Sequence, residues 1–169
     1  GKNYSACAGV AIVHQKYPFY RAYELAEALC SKAKRFGADI SAKVGISDNG
    51  SSISSIDWHI EYGELKDTIE ELRKNYETSD GKHLEMRPYI VKASDVVMKC
   101  EPIRVYQNFR SLIKKILADE DFYASGALKE LRPALKKGET SAIHYLKYHH
   151  MEQIYKDGYQ GIYKEFKFE

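Results

Sequence analysis

The chain has 169 residues, of which 44% are apolar and 30% charged, and its formal net charge is +2. That length suits one domain, or a small domain with a helical extension, and the near-neutral balance argues against a dedicated nucleic-acid module. No apolar run approaches a membrane span and no signal-peptide pattern opens the chain, so a cytoplasmic protein with no membrane partner is expected.

Residues 5–13, SACAGVAIV, are a short run of small and β-branched residues that predicts a buried strand. Pro18 suits the start of a helix over residues 19–36, where Ala22, Leu25, Ala26, Leu29, Cys30 and Ala33 recur at helical spacing. Gly37 is expected to end that helix, with Lys32, Lys34 and Arg35 complementing its carbonyl end. Residues 38–52 lack periodicity and predict a loop.

The run SIDWHIEY alternates, so residues 55–62 predict a half-buried strand. Ile56, Trp58, Ile60 and Tyr62 face one way; Asp57, His59 and Glu61 form a polar face on which a histidine ordinarily meets water. A charged helix over residues 65–76, with Ile69, Leu72 and Tyr76 on one side, leads to a turn at ETSDGKH and an extended LEMRPYIVKA.

Beyond Pro102 the pattern is helical throughout. Val105, Phe109, Leu112, Ile113 and Ile116 make a first stripe, ended by the ADED run. Ser125 is placed to cap a second helix, kinked or shortened by Pro133 and stopped at Gly138. A third begins near Thr140 with Ile143, Leu146, His150 and Ile154 on one side, and KEFKFE reads as a frayed tail. The boundary between the mixed and helical parts is expected near residues 93–103.

Chemistry is sparse in this pattern. Cys7, Cys30 and Cys100 form no CxxC pair and read as reduced thiols filling apolar or helical surroundings. His144 and His149 point roughly 140° apart on a helix, at ~100° per residue, so they do not make a zinc pair. Two-metal catalysis needs carboxylates on a tight turn, and Asp48, Asp57 and the run Asp119, Glu120, Asp121 offer no GGDD, GGDE or DxD order. There is no Walker A loop and no GxGxxG.

Taken together, AGVAI, HQKYPFY and the YELAEALCSKAK helix, which fits AExLxxxAK, followed by SSIDWHI and MRPY, resemble the second palm domain of the large subunit of type III CRISPR effector complexes. The likeness covers roughly residues 4–92, and ALKELRPALKKGE is similar to the small helical domain that follows this palm. Diguanylate cyclases share the weaker strand–helix–AKxxG pattern, which AKRFG fits. The resemblance implies an α+β fold: the C-terminal half of a ferredoxin-like palm or nucleotidyl-cyclase domain over residues 1–95, then a small helical bundle over 96–169.

It further implies a parent protein of antiviral defence that makes cyclic oligoadenylate from ATP when target RNA is bound, with divalent metal held by a paired-aspartate hairpin. That hairpin would precede Tyr4, so the chain alone is expected to be inactive and to hold no metal or cofactor of its own. Carried onto matched positions, the nucleotide-contact candidates are Lys34, then His14 and Ser5. The implied partners are other subunits of an RNA-guided complex, with RNA only indirectly engaged. Lacking the palm's first strand, SACAGVAIV is expected to be unpaired and to favour a homodimer through residues 5–13. Two further readings stand beside the enzyme: a non-catalytic scaffold of such a complex, and a regulatory fragment related to diguanylate cyclases.

Overall fold

A strand, a long helix and a second strand parallel to the first open the protein, so its first unit is built on a β–α–β crossover. The computed structural model describes residues 4–48, 51–61, 68–118 and 126–151. Expectations for Tyr62, Leu65, Asp119, Glu120, Asp121, Ser125, Ile154, the KEFKFE tail and the side chain of Ile116 lie outside the described residues. The chain divides into two compact units, one comprising Gly1–Arg73 with Met86–Gln107 and the other Lys74–Glu85 with Asn108–Glu169.

In the first unit β1 (Cys7–Ile12), β2 (Ser54–Ile60) and β3 (Tyr89–Lys92) form one sheet in the order β1-β2-β3. β1 runs parallel to β2, with Cys7 opposite Ser55, Gly9 opposite Asp57 and Ala11 opposite His59; β3 is antiparallel to β2. The result is a mixed α/β unit with a small sheet. The strand expected to be unpaired therefore has a partner within the chain, because the crossover through α1 (Phe19–Lys43) returns SSIDWHI beside it.

Helix α1 is longer than its periodicity suggests. It passes through Gly37, which is buried, and ends at Val44 and Gly45, where φ is +74°. An interior glycine costs a helix about 0.5–1 kcal/mol relative to alanine. Beyond it Ile40, 5% exposed, joins Ile53, Ile90 and Val97 in a core cluster, and that burial outweighs the penalty. The loop expected over 38–52 is thus helical to Lys43, and Lys34 lies in mid-helix rather than at a carbonyl end.

The faces of β2 are the reverse of what its alternation suggests. Ser55, Asp57, His59 and Glu61 are buried, whereas Ile60 is 39% exposed and belongs, with Val10, Ile12 and Val91, to an open sheet face. The reason lies on β1. Its helix-facing residues are Cys7, Gly9 and Ala11, small enough for α1 to come very close. A Cβ at Gly9 would lie 2.1 Å from Ala26 O and 2.3 Å from Cys30 N. The helix therefore covers this face, and the polar side chains of β2 are buried with partners of their own.

Also in the first unit, α2 (Ile69–Arg73) contributes Ile69 and Leu72 to a cluster with Leu25 and Leu29. After β3 come α3 (Asp95–Cys100), a 3₁₀ turn at Pro102–Arg104, and α4 (Tyr106–Ala118), inside which the unit boundary falls. Val105 is buried but precedes the helix and bridges Ile90, so it is not part of the α4 stripe.

The second unit packs α5 (Ala127–Lys136) on α6 (Glu139–Tyr148) through Leu131, Ala134, Ala142 and Leu146, all buried. α5 contains Pro133 and continues three residues beyond it to Lys136. His150, at φ 53°, lies past the end of α6 and is exposed, so it does not extend the α6 stripe. The ETSDGKH turn holds the junction of the two helices: Ser79 N donates to Lys136 O, Ser79 Oγ to Lys137 O, and Glu139 N to Asp80 Oδ2.

Candidate functional site

Among the described residues, the densest set of buried polar groups lies on the helix-facing side of β2. Asp57 is fully buried and accepts two hydrogen bonds from Arg73 of α2, from Nη2 at 2.8 Å and Nη1 at 3.0 Å. Arg73 Nη2 also reaches Trp58 O at 3.3 Å, so the guanidinium ties the middle of β2 to α2. A forked pair of this kind suits a dry site, because both carboxylate oxygens are satisfied by one planar cation. Ser55 Oγ donates to Ala33 O at 2.9 Å and fastens the same strand to α1.

His59 and Glu61 continue the row. His59 Nε2 is 3.7 Å from Glu61 Oε2, with both side chains nearly inaccessible. Burial holds the His59 imidazolium below the ordinary histidine value; Glu61 opposes this, while Arg73 and Arg87 reinforce it. His59 is therefore neutral near pH 7, and its Nδ1 has no hydrogen-bond partner among the described residues. The polar-face histidine expected in water is inside the protein. The missed signal was the run of small residues on β1, which decides which face of the sheet a helix can cover.

On the opposite sheet face Trp58 stacks on Tyr89, with ring centroids 5.1 Å apart and planes 11° apart. The Arg87 guanidinium sits 5.5 Å from the Trp58 ring centre and donates to Trp58 O. Burial pushes the Tyr89 phenol up to about 12, against the pull of Arg87 and Arg104. The Trp58 carbonyl thus accepts from two guanidinium groups, Arg73 of α2 and Arg87 in the segment before β3.

A cleft of about 260 Å³ runs along α1 beside α2, with Arg21, Ser31 and Arg35 on one wall and Thr68 and Glu70 on the other. Arg21 and Arg35 are fourteen positions apart on α1, which returns to nearly the same helix face, so cations stand near its two ends, about 21 Å apart. Tyr17 closes one end, and burial together with the nearby Glu61 raises its phenol above the ordinary value. Glu24 and Glu70 line the same cleft, so its charge is mixed rather than a cationic funnel.

The three nucleotide-contact candidates are not brought together. Ser5 precedes β1 and donates to Ser51 O; His14 follows β1, its Nδ1 accepting from Lys16 N at 3.3 Å. Strand β1 alone spans roughly 20 Å between them at about 3.3 Å per residue. Lys34 is exposed on α1, next to Ala33, and so lies toward the Ser5 end of the sheet. Cys7 and Cys30 are half-buried between strand and helix, whereas Cys100, expected as filler, is exposed.

Among the described residues no group of three His, Cys, Asp or Glu side chains is placed to hold a metal ion. Asp57 is engaged by Arg73, Asp48 accepts from Ser52 N at 3.0 Å, and His149 packs on Tyr145 and Tyr148. These residues do not fit a two-metal centre, and no step through a metal is assigned to them. No helix of the described residues is long and apolar enough to cross a membrane. In comparisons with known proteins, no family model and no curated protein matches the chain.

Proposed function

We propose that the chain is the C-terminal part of a type III CRISPR large-subunit-like protein, whose complete palm binds ATP and makes cyclic oligoadenylate. One observation carries this reading. The segments on which the resemblance rests are the elements of one unit: AGVAI lies in β1, the YELAEALCSKAK helix in α1, SSIDWHI is β2, and MRPY leads into β3. The finer assignment, half of a ferredoxin-like palm, belongs to the same proposal. In it Lys34 reaches triphosphate oxygens as a charge-assisted donor, ATP and divalent metal are brought in by the complete domain, and the remaining partners are other subunits of an RNA-guided complex.

The test uses the parent protein with target RNA, ATP and magnesium. Cyclic oligoadenylate should form, and Lys34→Ala should weaken triphosphate binding by about 1–3 kcal/mol, the scale of hydrogen bonds to charged groups. Adenosine binding should stay as it is. Absence of product from an assembled, RNA-bound parent would end the enzyme reading. The 169-residue chain alone should make none.

A non-catalytic scaffold is favoured by a different observation, the open sheet face bearing Val10, Ile12, Ile60 and Val91, each at least 38% exposed. In that reading the face holds a neighbouring subunit, or a second copy pairs through residues 5–13 along the β1 edge away from β2. Light scattering coupled to size exclusion separates these: a concentration-independent monomer would remove the homodimer.

A further inference from the structure

We propose that Cys7 and Cys30 form a redox-responsive pair that closes a disulfide across the seam between β1 and α1. The Cys30 thiol donates to Cys7 O at 3.5 Å, although the residues are 23 apart in sequence. Ser55 Oγ lies 2.9 Å from Ala33 O of the helix and 3.4 Å from Cys7 Sγ, so the Cys7 sulfur stands on the sheet face that α1 covers. The Cys30 thiol thus spans the gap between helix and strand, Cys7 Sγ lies on the facing side of the strand, and neither is sealed from solvent, both being half-buried.

Gly9 is the reason that they meet. With Ala26 O and Cys30 N where its Cβ would otherwise stand, the helix backbone rides directly on the strand at that point. Contact of Cys30 Sγ with the Cys7 carbonyl puts the two residues within side-chain reach, and disulfides bridge Cα separations of about 4.4–6.8 Å. Closure needs Cys7 Sγ to leave Ser55 and turn about χ1 toward Cys30, with the helix and strand already in contact.

The oxidant is hydrogen peroxide. One thiolate attacks a peroxide oxygen, the O–O bond breaks, and a sulfenic acid and one water result. The second thiol then attacks the sulfenic sulfur; the S–S bond forms, and the hydroxyl leaves with the thiol proton as a second water. Two thiols are oxidised by two electrons and one peroxide is reduced to two waters. A reductant thiol reverses the step by exchange. The closed bond fastens β1 to α1 and adds a cross-link that the unfolded chain must also carry. This device is independent of the nucleotide and scaffold readings.

The experiment uses the full chain with Cys100→Ser, to remove the exposed thiol. Native protein treated with hydrogen peroxide should lose both alkylatable thiols and about 2 Da, the two hydrogens of the thiols. Digestion with trypsin should join the peptide of residues 3–16 to that of residues 22–32. The thermal midpoint should rise and return with dithiothreitol, and Cys30→Ser should abolish both changes. Closure should be faster in native protein than in the urea-unfolded chain. Thiols that stay alkylatable, oxidation to sulfinic acid without a cross-link, or closure no faster than in urea would each overturn the proposal.

Discussion

Replacing Arg73 by leucine should be the most damaging single change on the sheet face, and the structure allows its size to be worked out. Asp57 has no exposed surface and takes both of its strong hydrogen bonds from Arg73, whose own side chain is 4% exposed. Leucine leaves a carboxylate stranded in the interior, for which removal of one partner of a buried pair costs about 3–5 kcal/mol. Total stabilities of domains are about 5–15 kcal/mol, so the variant should populate unfolded chain measurably under native conditions.

Urea unfolding followed by fluorescence is the natural assay, because Trp58 is the single tryptophan and its carbonyl accepts from Arg73. The double variant Arg73→Met, Asp57→Leu should regain most of the loss, since an apolar pair of similar size meets no desolvation cost. The cycle should therefore show strong coupling between the two sites. A cost below about 1 kcal/mol for Arg73→Leu, typical of exposed ion pairs, would refute the claim that this pair is buried and holds α2 to the sheet.

Gly9→Ala should destabilise by at least about 1–3 kcal/mol, because overpacking moves α1 off β1, and a calorimetric midpoint equal to that of the wild type would contradict the close approach. The His59 imidazole is held below its ordinary value by burial, so its contribution to stability is complete above the unfolded value near 6.5 and is lost as pH falls through the folded value. Urea midpoints should decline on acidification through that window, and His59→Gln should flatten the decline; parallel curves would count against a buried neutral histidine. Asp80 is lowered by the Thr78 hydroxyl and the Glu139 N–H, so its contribution is present above the unfolded carboxylate value and disappears as pH falls through the folded one. Asp80→Ala should lower the unfolding midpoint at pH 7 and converge with wild type in acid, and a difference that persists in acid would point to packing instead.

Local order along the chain was legible without coordinates. The apolar run of β1, the 3.6-residue stripe of Leu25, Leu29 and Ala33, the alternation of SIDWHI, and the turn at Gly81 each sit in consecutive residues, where periodicity and turn chemistry act. What lies between elements was not. Helix α1 runs through Gly37 because Ile40 finds Ile53, Ile90 and Val97, residues far away in sequence. The polar side of β2 is the buried one because Gly9 on another strand admits the helix, and because Arg73 arrives from α2 to neutralise Asp57. The same close approach sets Cys7 against Cys30, a juxtaposition that the spacing of 23 residues does not announce. Sequence by itself determined which segments become strand and helix, since those preferences are local. Only the tertiary structure decided which faces are buried and which side chains meet, because these depend on contacts that the chain makes after it has folded back on itself.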